Sequence, residues 1–444
     1  MDDKFDCIIV GGGIAGLSAA MELAKNDMKF LLIERGEFAG AKNVSGGVLW
    51  GTDLARLVPE YWTEDPDEAG WERFVNHRRL TFMDDQSAFS FDFKSDHFDA
   101  QPYKGLVVLR SKFDRWLADK VQEAIDQSEV AMESFLATNI LVDKVLKDEN
   151  GKVNGIKAGE EEFFADSVII AEGVNNLLTR QVGLQDEYVP ADHVMTGVKE
   201  VIRMDRETID ERFQLDGLSG MSNEFLGYAT DGVEGGGFLY TNRASLSVGL
   251  VLGLKDLREK VKKPYDILNK FKEHPAIADM IRGGEVVEYS AHVVSSGDMR
   301  VMPEEIYADG VMIAGEAANL LMNAGKAIQG MDYAMRSGIL AAETVMEAKE
   351  AGDFSKQQMK TYRDKLEESY VLKDMRGFQG AVQTLHQPEM VDEIPDLVCD
   401  FGRKFFTVDD SPTPKARKMF SEAVSKNSSW WNLMRLSLKA AKNL

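Results

Sequence analysis

Phe5 to Val10 is a short, nearly unbroken apolar run, Gly11 to Gly16 is a glycine turn, Leu17 to Ala24 has helical apolar spacing, and Phe30 to Ile33 is apolar again. Strands apolar on both faces belong to a buried parallel sheet, so the first 34 residues predict one βαβ unit. Two later runs, Val168-Ile169-Ile170-Ala171-Glu172-Gly173 and Val311-Met312-Ile313-Ala314-Gly315-Glu316, have the same form and end in polar turns. Their separation predicts a discontinuous domain over 1–190 and 300–350. Between them, alternating stretches such as Phe238-Leu239-Tyr240 and Ser245 to Val251 predict a mostly antiparallel sheet inserted at 191–299. From about residue 351 to 444 the apolar spacing is helical. No internal repeat and no long linker interrupts this order.

Composition narrows the function classes. The 444 residues are 44% apolar, enough to bury a core of two or three domains, and 74 acidic against 52 basic residues give a formal charge of -22. That charge opposes general attraction to a nucleic acid. The two cysteines, Cys7 and Cys399, are far apart in sequence, too few for an iron-sulfur cluster, and the six histidines form no metal-ligand spacing, so no metal site is expected. The acidic start, Met1-Asp2-Asp3-Lys4, runs straight into a strand, unlike a secretory signal, and no apolar run reaches the roughly 18 residues of a membrane span. A cytoplasmic location is the expectation.

Gly11-Gly12-Gly13-Ile14-Ala15-Gly16 fits G-x-G-x-x-G between a strand and a helix, and Glu34 closes the next strand 18 residues after Gly16. Gly11 permits the tight turn, Gly13 lets the backbone approach a pyrophosphate, and Gly16 lets helix and sheet pack closely. The helix start at Ile14 and Ala15 offers N–H donors to phosphate, and Glu34, followed by Arg35, can accept from the adenosine ribose.

This motif alone does not choose between NAD and FAD; three further segments favour FAD. Arg110 opens a helical stretch, Glu172-Gly173 closes one strand, and Gly315-Glu316-Ala317 closes another before a stretch marked by Gly325, Ile328, Gly330 and Met331. An extended flavin nucleotide needs such a second contact zone, with Glu316 on the ribityl chain and a helix start facing the pyrimidine end of the flavin. The plainer readings are a solvated carboxylate at Glu316 and a surface ion pair at Arg110. A second G-x-G-x-x-G is absent, so the reductant is not expected to be a nicotinamide held on its own Rossmann domain.

The chain resembles the FixC proteins and their relatives, the electron-transfer flavoprotein:quinone oxidoreductases, from Asp6 to about Gly377. The likeness rests on Asp6 to Gly16, Lys42-Asn43-Val44-Ser45-Gly46-Gly47, Gly197-Val198-Lys199-Glu200, Gly235-Gly236-Gly237-Phe238-Leu239-Tyr240, Phe271 to Pro275, Tyr289-Ser290-Ala291, and Lys326 to Met331 leading into Ser337-Gly338. It implies a glutathione-reductase-like FAD domain, a better match than a p-cresol-hydroxylase-like one, an inserted quinone-binding sheet and a helical C-terminal region. It also implies one FAD, electrons from a FixA/FixB-like electron-transfer flavoprotein, and a quinone acceptor such as menaquinone or ubiquinone. Ser45, Gly46 and Gly47 should lie near the isoalloxazine. Gly235 and Gly236 should line the quinone site, where a bare N–H can reach a carbonyl; without the resemblance they read as a bulge or a sheet corner. Ser290 stands where the relatives tend to have glycine. The ferredoxin domain fused to some relatives is missing, which implies a separate FixX-like subunit in a complex similar to those that bifurcate electrons.

Electron transfer through a flavin asks mainly for distance, polarity and exclusion of oxygen, so no acid, base or nucleophile is named. His292 is a candidate proton donor to quinone, though a lone histidine reads more readily as structural. The tail reverses the charge of the chain: residues 411–444 hold seven Lys or Arg against Glu422 alone. There Trp430, Leu433, Met434, Leu438, Ala441 and Leu444 follow one helical face, and Asn432, Arg435, Lys439 and Lys442 the other. Such a helix suits the headgroup region of a membrane, here its cytoplasmic face, or else docking on a protein core. Two rival expectations stand beside quinone reduction: a geranylgeranyl-reductase-like flavoprotein that saturates isoprenoid double bonds, and a flavin-bearing scaffold without turnover.

Overall fold

The computed structural model describes residues 4–43, 46–185, 189–325 and 328–444. Two sheets organise it. The first contains β1 (Lys4–Val10), β2 (Phe30–Ile33), β7 (Phe135–Ala137), β8 (Lys144–Lys147), β9 (Val153–Ala158), β10 (Glu161–Ile170), β16 (Tyr307–Ala308) and β17 (Val311–Ile313). Its main path runs β16-β17-β10-β1-β2-β7, with β8 and β9 attached to the early half of β10. The five strands from β17 to β7 pair in parallel. The unbroken apolar runs place buried residues on both faces, and the helices α1 (Ile14–Lys25), α2 (Arg110–Gln127) and α3 (Met331–Ala351) pack in the same core.

The second sheet contains β3 (Gly46–Trp50), β4 (Trp71–Met83), β5 (Ala88–Lys94), β6 (Gly105–Leu109), β11 (Val194–Arg203), β12 (Ser219–Gly227), β13 (Gly235–Thr241), β14 (Ser245–Gly253) and β15 (Glu285–Ser295). Its order is β15-β11-β14-β13-β12-β4-β6-β3, with β5 beside β4, and only β12 and β4 pair in parallel. This corrects the expected boundary at 191–299, because β3 to β6 lie between 46 and 109. One face of the sheet carries the apolar core formed with the helices Arg206–Phe213 and Pro264–Glu273; the other faces the cavity described below.

The expected helical unit at 351–444 is also divided. Met359, Tyr362, Leu366, Val371, Leu372 and Met375 join the core of the first sheet. The remainder forms α4 (Ala381–Leu385), a π-helical turn at Glu389–Glu393, α5 (Ile394–Phe406), α6 (Ala416–Asn427) and α7 (Trp430–Asn443), with Leu397, Ala423, Val424 and part of Leu433 in a small core.

The terminal helix α7 sits opposite to the usual amphipathic arrangement. Its polar residues hold the body: Arg435 pairs with Glu389, Lys439 donates to Gln387 at 3.0 Å, and Asn443 donates to Thr384 at 2.9 Å. Leu436 is buried between them, while Trp431 (67% exposed), Leu438 (68%), Trp430, Met434 and Leu444 face outward.

Candidate functional site

The glycine turn stands over the carboxyl ends of three strands: the Gly11 N–H donates to the Ile33 carbonyl at 2.8 Å, and the Ala171 N–H to the Val10 carbonyl at 2.8 Å. Gly11 has φ of 111°, and a Cβ there would lie 2.3 Å from the Ala171 carbonyl oxygen; a Cβ on Gly16 would lie 1.9 Å from that of Gly11. Packing therefore requires both. Gly13 differs, since a Cβ there would meet nothing nearer than 3.8 Å. The space in front of it is cavity, as a cradle for a pyrophosphate requires, and helix α1 begins at once with its N–H groups at that spot.

The atoms that approach Gly13 most nearly are Nη2 of Arg110 and Nδ2 of Asn43. Arg110 is held by two 2.7 Å bonds to Asp114, which also accepts from Asn43 at 2.6 Å. Burial works against the guanidinium charge, but Asp114 and Glu316 outweigh it and raise the Arg110 pKa. The ion pair expected as a rival reading exists, and it fixes the cation beside the turn instead of leaving it at the surface. Glu34 is buried, accepting from the Gly12 N–H at 2.7 Å and the Gly36 N–H at 2.6 Å; Arg35 is exposed at the rim.

Glu172 lines the cavity near Gly173, but its two oxygens accept the Leu178 and Thr179 N–H groups at 2.9 and 2.7 Å. The carboxylate thus anchors the turn. Glu316 accepts from the Ser295 N–H at 3.0 Å and follows Gly315, whose N–H donates to Ser337; Ala317 is buried behind it. Burial pushes the Glu316 carboxyl up, with Arg110 opposing. Gly46 is confined by the Val108 carbonyl, a Cβ on Gly47 would lie 3.4 Å from Met331 Cε, and one on Gly325 2.8 Å from Leu385. Gly330 is the residue before α3, and Ile328 is partly exposed on a two-strand ribbon with Met322–Asn323. Ser45 lies outside the described residues.

These groups line a cavity of about 480 Å³ that continues across the second sheet, within the ~300–1,000 Å³ of ordinary ligand pockets. Its sheet wall brings together Met195 and Gly197 of β11, Ser290, His292 and Val294 of β15, Gly235, Gly236 and Phe238 of β13, and Glu224 of β12. Antiparallel register explains the grouping, because Lys199 faces Ser290 and Gly197 faces His292 across β11 and β15. The β12–β13 ladder runs from Ser222–Tyr240 to Phe225–Gly237, so Gly235 and Gly236 lie beyond it while still paired with β14. Gly235 has φ of 144°, and a Cβ would lie 2.0 Å from the Val251 carbonyl oxygen. The sheet-corner reading of these glycines and their exposure to the cavity hold together.

Sequence reasoning missed the polar floor of the cavity. Ser222 donates to Glu224 at 2.5 Å, Arg78 lies 3.9 Å from Glu224 and over the Trp50 ring, and Tyr240 stacks on Phe238. Burial pushes the Glu224 carboxyl up. It also missed His386 and Glu234, which meet at 2.5 Å. His292 is half-buried, and burial, then Arg110 and Arg35, push its pKa down.

The residues present fit an extended FAD: an open cradle at Gly13, a buried carboxylate at Glu34, a fixed cation at Arg110, and Gly315, Glu316, Gly330 and Met331 along the same cavity. Comparison with known proteins agrees with this fit. The FAD dependent oxidoreductase family matches residues 6–131, the ETF-QO ubiquinone-binding family 195–294, and the ETF-QO/FixC family C-terminal domain 381–444. Protein FixC of Salmonella typhi is 43% identical over 99% of this chain and 98% of its own. The probable electron transfer flavoprotein-quinone oxidoreductase YdiS of Escherichia coli K12 is 38% identical over the full length of both. A geranylgeranyl bacteriochlorophyll reductase-like protein from Thermoplasma acidophilum has the same fold, with a TM-score of 0.71 over 98% of this chain and 99% of that one, at 21% identity.

Proposed function

The chain belongs to the ETF-QO/FixC family of FAD-dependent oxidoreductases, and from that premise we propose that it carries electrons from an electron-transfer flavoprotein through FAD to a quinone of the bilayer. The observation that carries the reading is the single cavity shared by the dinucleotide turn and the Gly235–Gly236 wall. FAD, the cofactor of the family, supplies acceptance and release of electrons one or two at a time. The chain supplies the rest: Gly13 and the start of α1 receive the phosphates, Arg110 neutralises them, Glu34 orients the ribose, and the bare Gly235–Gly236 backbone leaves a quinone ring room beside the flavin.

A peripheral seat on the membrane is supported by a continuous aromatic surface. Phe405 and Phe406 at the end of α5 connect through Phe401 to Phe420 and Trp430 with ring centroids 5.2–5.9 Å apart. Phe89 packs at Gly402 and leads to exposed Phe91 on β5. Trp431, Met434 and Leu438 are outward as well, and exposed apolar side chains amid a basic tail are the combination that binds anionic lipid surfaces. No helix among the described residues is long and apolar enough to cross a membrane.

The shared fold with a geranylgeranyl reductase-like protein carries no activity at 21% identity, while full-length likeness to FixC and YdiS favours quinone chemistry. With two cysteines in the chain, a cluster in the assembly belongs to another subunit, a ferredoxin-like FixX. To test the reading, the FAD-loaded protein is mixed anaerobically with its reduced FixA/FixB-like partner. Bleaching of its flavin band, followed by recovery on adding a menaquinone analogue, is expected; a flavin that the partner cannot reduce would leave only the scaffold role.

A further inference from the structure

His386 follows the last residue of α4 and lines the cavity beside Leu385, which packs at Gly325. Its Nδ1 lies 2.5 Å from Oε1 of Glu234, and its Nε2 is buried with no hydrogen-bond partner among the described residues. Glu234 immediately precedes Gly235. Its backbone is fixed on both sides, the N–H donating to Asp256 and the carbonyl accepting from the Gly253 N–H, each at 2.8 Å. Its side chain is 26% exposed, so the pair spans from solvent to the cavity wall.

A buried ring nitrogen without a partner is destabilising unless a ligand completes it. An imidazole with one nitrogen fixed by a carboxylate and the other free is the arrangement of an oriented acid–base catalyst. The other cavity histidine, His292, lies toward Arg110 and Arg35, whose charges oppose a second proton on it. Glu224 is already engaged by Ser222 and Arg78.

We propose that His386 is the proton donor to the quinone, hydrogen-bonding a quinone carbonyl through Nε2–H, and that Glu234 is its positioning residue. The proposal rests on the quinone-reducing reading above. Conversion of quinone to quinol takes two electrons and two protons. Reduced flavin in its anionic form would supply both electrons and one proton on return to the oxidised form. The second proton comes from His386: its Nε2–H bond breaks and an O–H bond forms on the quinone, leaving a neutral ring whose Nδ1–H remains on Glu234. Solvent returns a proton to the ring after the quinol departs.

The test uses the FAD-loaded full-length chain, reduced anaerobically and reoxidised either by menadione, which takes up protons, or by ferrocenium, which takes one electron and no proton. His386→Gln keeps an N–H donor but cannot protonate. It is expected to slow the menadione reaction by about a hundredfold, with ferrocenium reoxidation and equilibrium menadione binding changed by less than about threefold. Glu234→Gln should lower only the menadione rate, and Glu234→Asp should recover part of it. An unchanged menadione rate in His386→Gln, or equal slowing with both acceptors, overturns the proposal while leaving quinone reduction in place. Failure of the unsubstituted protein to react with menadione while still reacting with ferrocenium overturns the reading beneath it.

Discussion

Arg435 on the terminal helix is ion-paired with Glu389, and the two residues that follow Glu389, Met390 and Val391, line the cavity. The helix that offers its apolar face outward is thus fastened by its polar face to the wall of the site. Removing the tail after Ser428 takes away both the outward residues and the Arg435 anchor. Such a truncation is expected to impair turnover with both soluble and vesicle-embedded acceptors.

Trp431→Glu and Leu438→Glu separate the two roles, because neither side chain belongs to the anchor. Burying one such side chain in lipid contributes about 1.5–3 kcal/mol. Each variant should therefore lower turnover with quinone in anionic vesicles by about tenfold, with a soluble quinone analogue unaffected. Equal loss with both acceptors would argue against lipid contact.

Gly13 and Gly16 should fail in different ways. Gly16→Ala forces a Cβ against the Gly11 carbonyl oxygen and is expected to lower the melting temperature even without flavin. The Cβ of Gly13→Ala comes no nearer than 3.8 Å to a protein atom, so the apoprotein should melt near the unsubstituted value and yet retain less FAD. Melting of both apoproteins by circular dichroism, together with bound flavin after gel filtration, checks the pair.

Glu34 accepts two backbone N–H groups and lines the cavity that FAD is proposed to fill. Glu34→Gln trades one charged acceptor for a neutral amide, which removes about 1.5–3 kcal/mol of charge-assisted hydrogen bonding. FAD should dissociate roughly ten- to a hundredfold more readily, read as recovery of free-flavin fluorescence on dilution.

Asp332, in the first turn of α3, has its pKa raised to about 6 by burial, with Asp53 adding to the rise and Gln329 and nearby backbone N–H groups opposing it. A carboxyl whose folded pKa lies above its unfolded value stabilises the fold below the unfolded pKa and loses that contribution as pH rises through about 6. The shift corresponds to at most about 3 kcal/mol. Asp332→Asn should therefore gain stability relative to the unsubstituted protein as pH goes from 4 to 6, with a constant difference above; urea unfolding across that range would show it, and a pH-independent difference would contradict it.

The first βαβ unit was legible because its signals are local: a strand, a turn and a strand-terminal acid within 34 residues. The helix nevertheless starts at Ile14, three residues before the apolar spacing suggests, since Gly13 sits directly at its N-terminal boundary. The second sheet was only half legible. Its β4–β12 pairing joins Phe74 to Ser219 in parallel, a register that no neighbouring turn announces. His386 and Glu234 are likewise separated by a long stretch of chain, so neither spacing nor motif brings them together. For Glu172 the sequence revealed a strand-terminal acid but not the two backbone donors that occupy it. Periodicity in α7 separated an apolar from a polar face; only the acceptors on the body, Glu389 and Gln387, decide which face turns inward.

The central claim, that electrons leave this protein's FAD for a quinone, is tested most directly by anaerobic titration of the photoreduced, FAD-loaded chain with menadione, following the flavin absorption band. One FAD per chain is expected, with recovery of the oxidised band in proportion to the menadione added and complete at one equivalent. A band that stays bleached under excess menadione would contradict it.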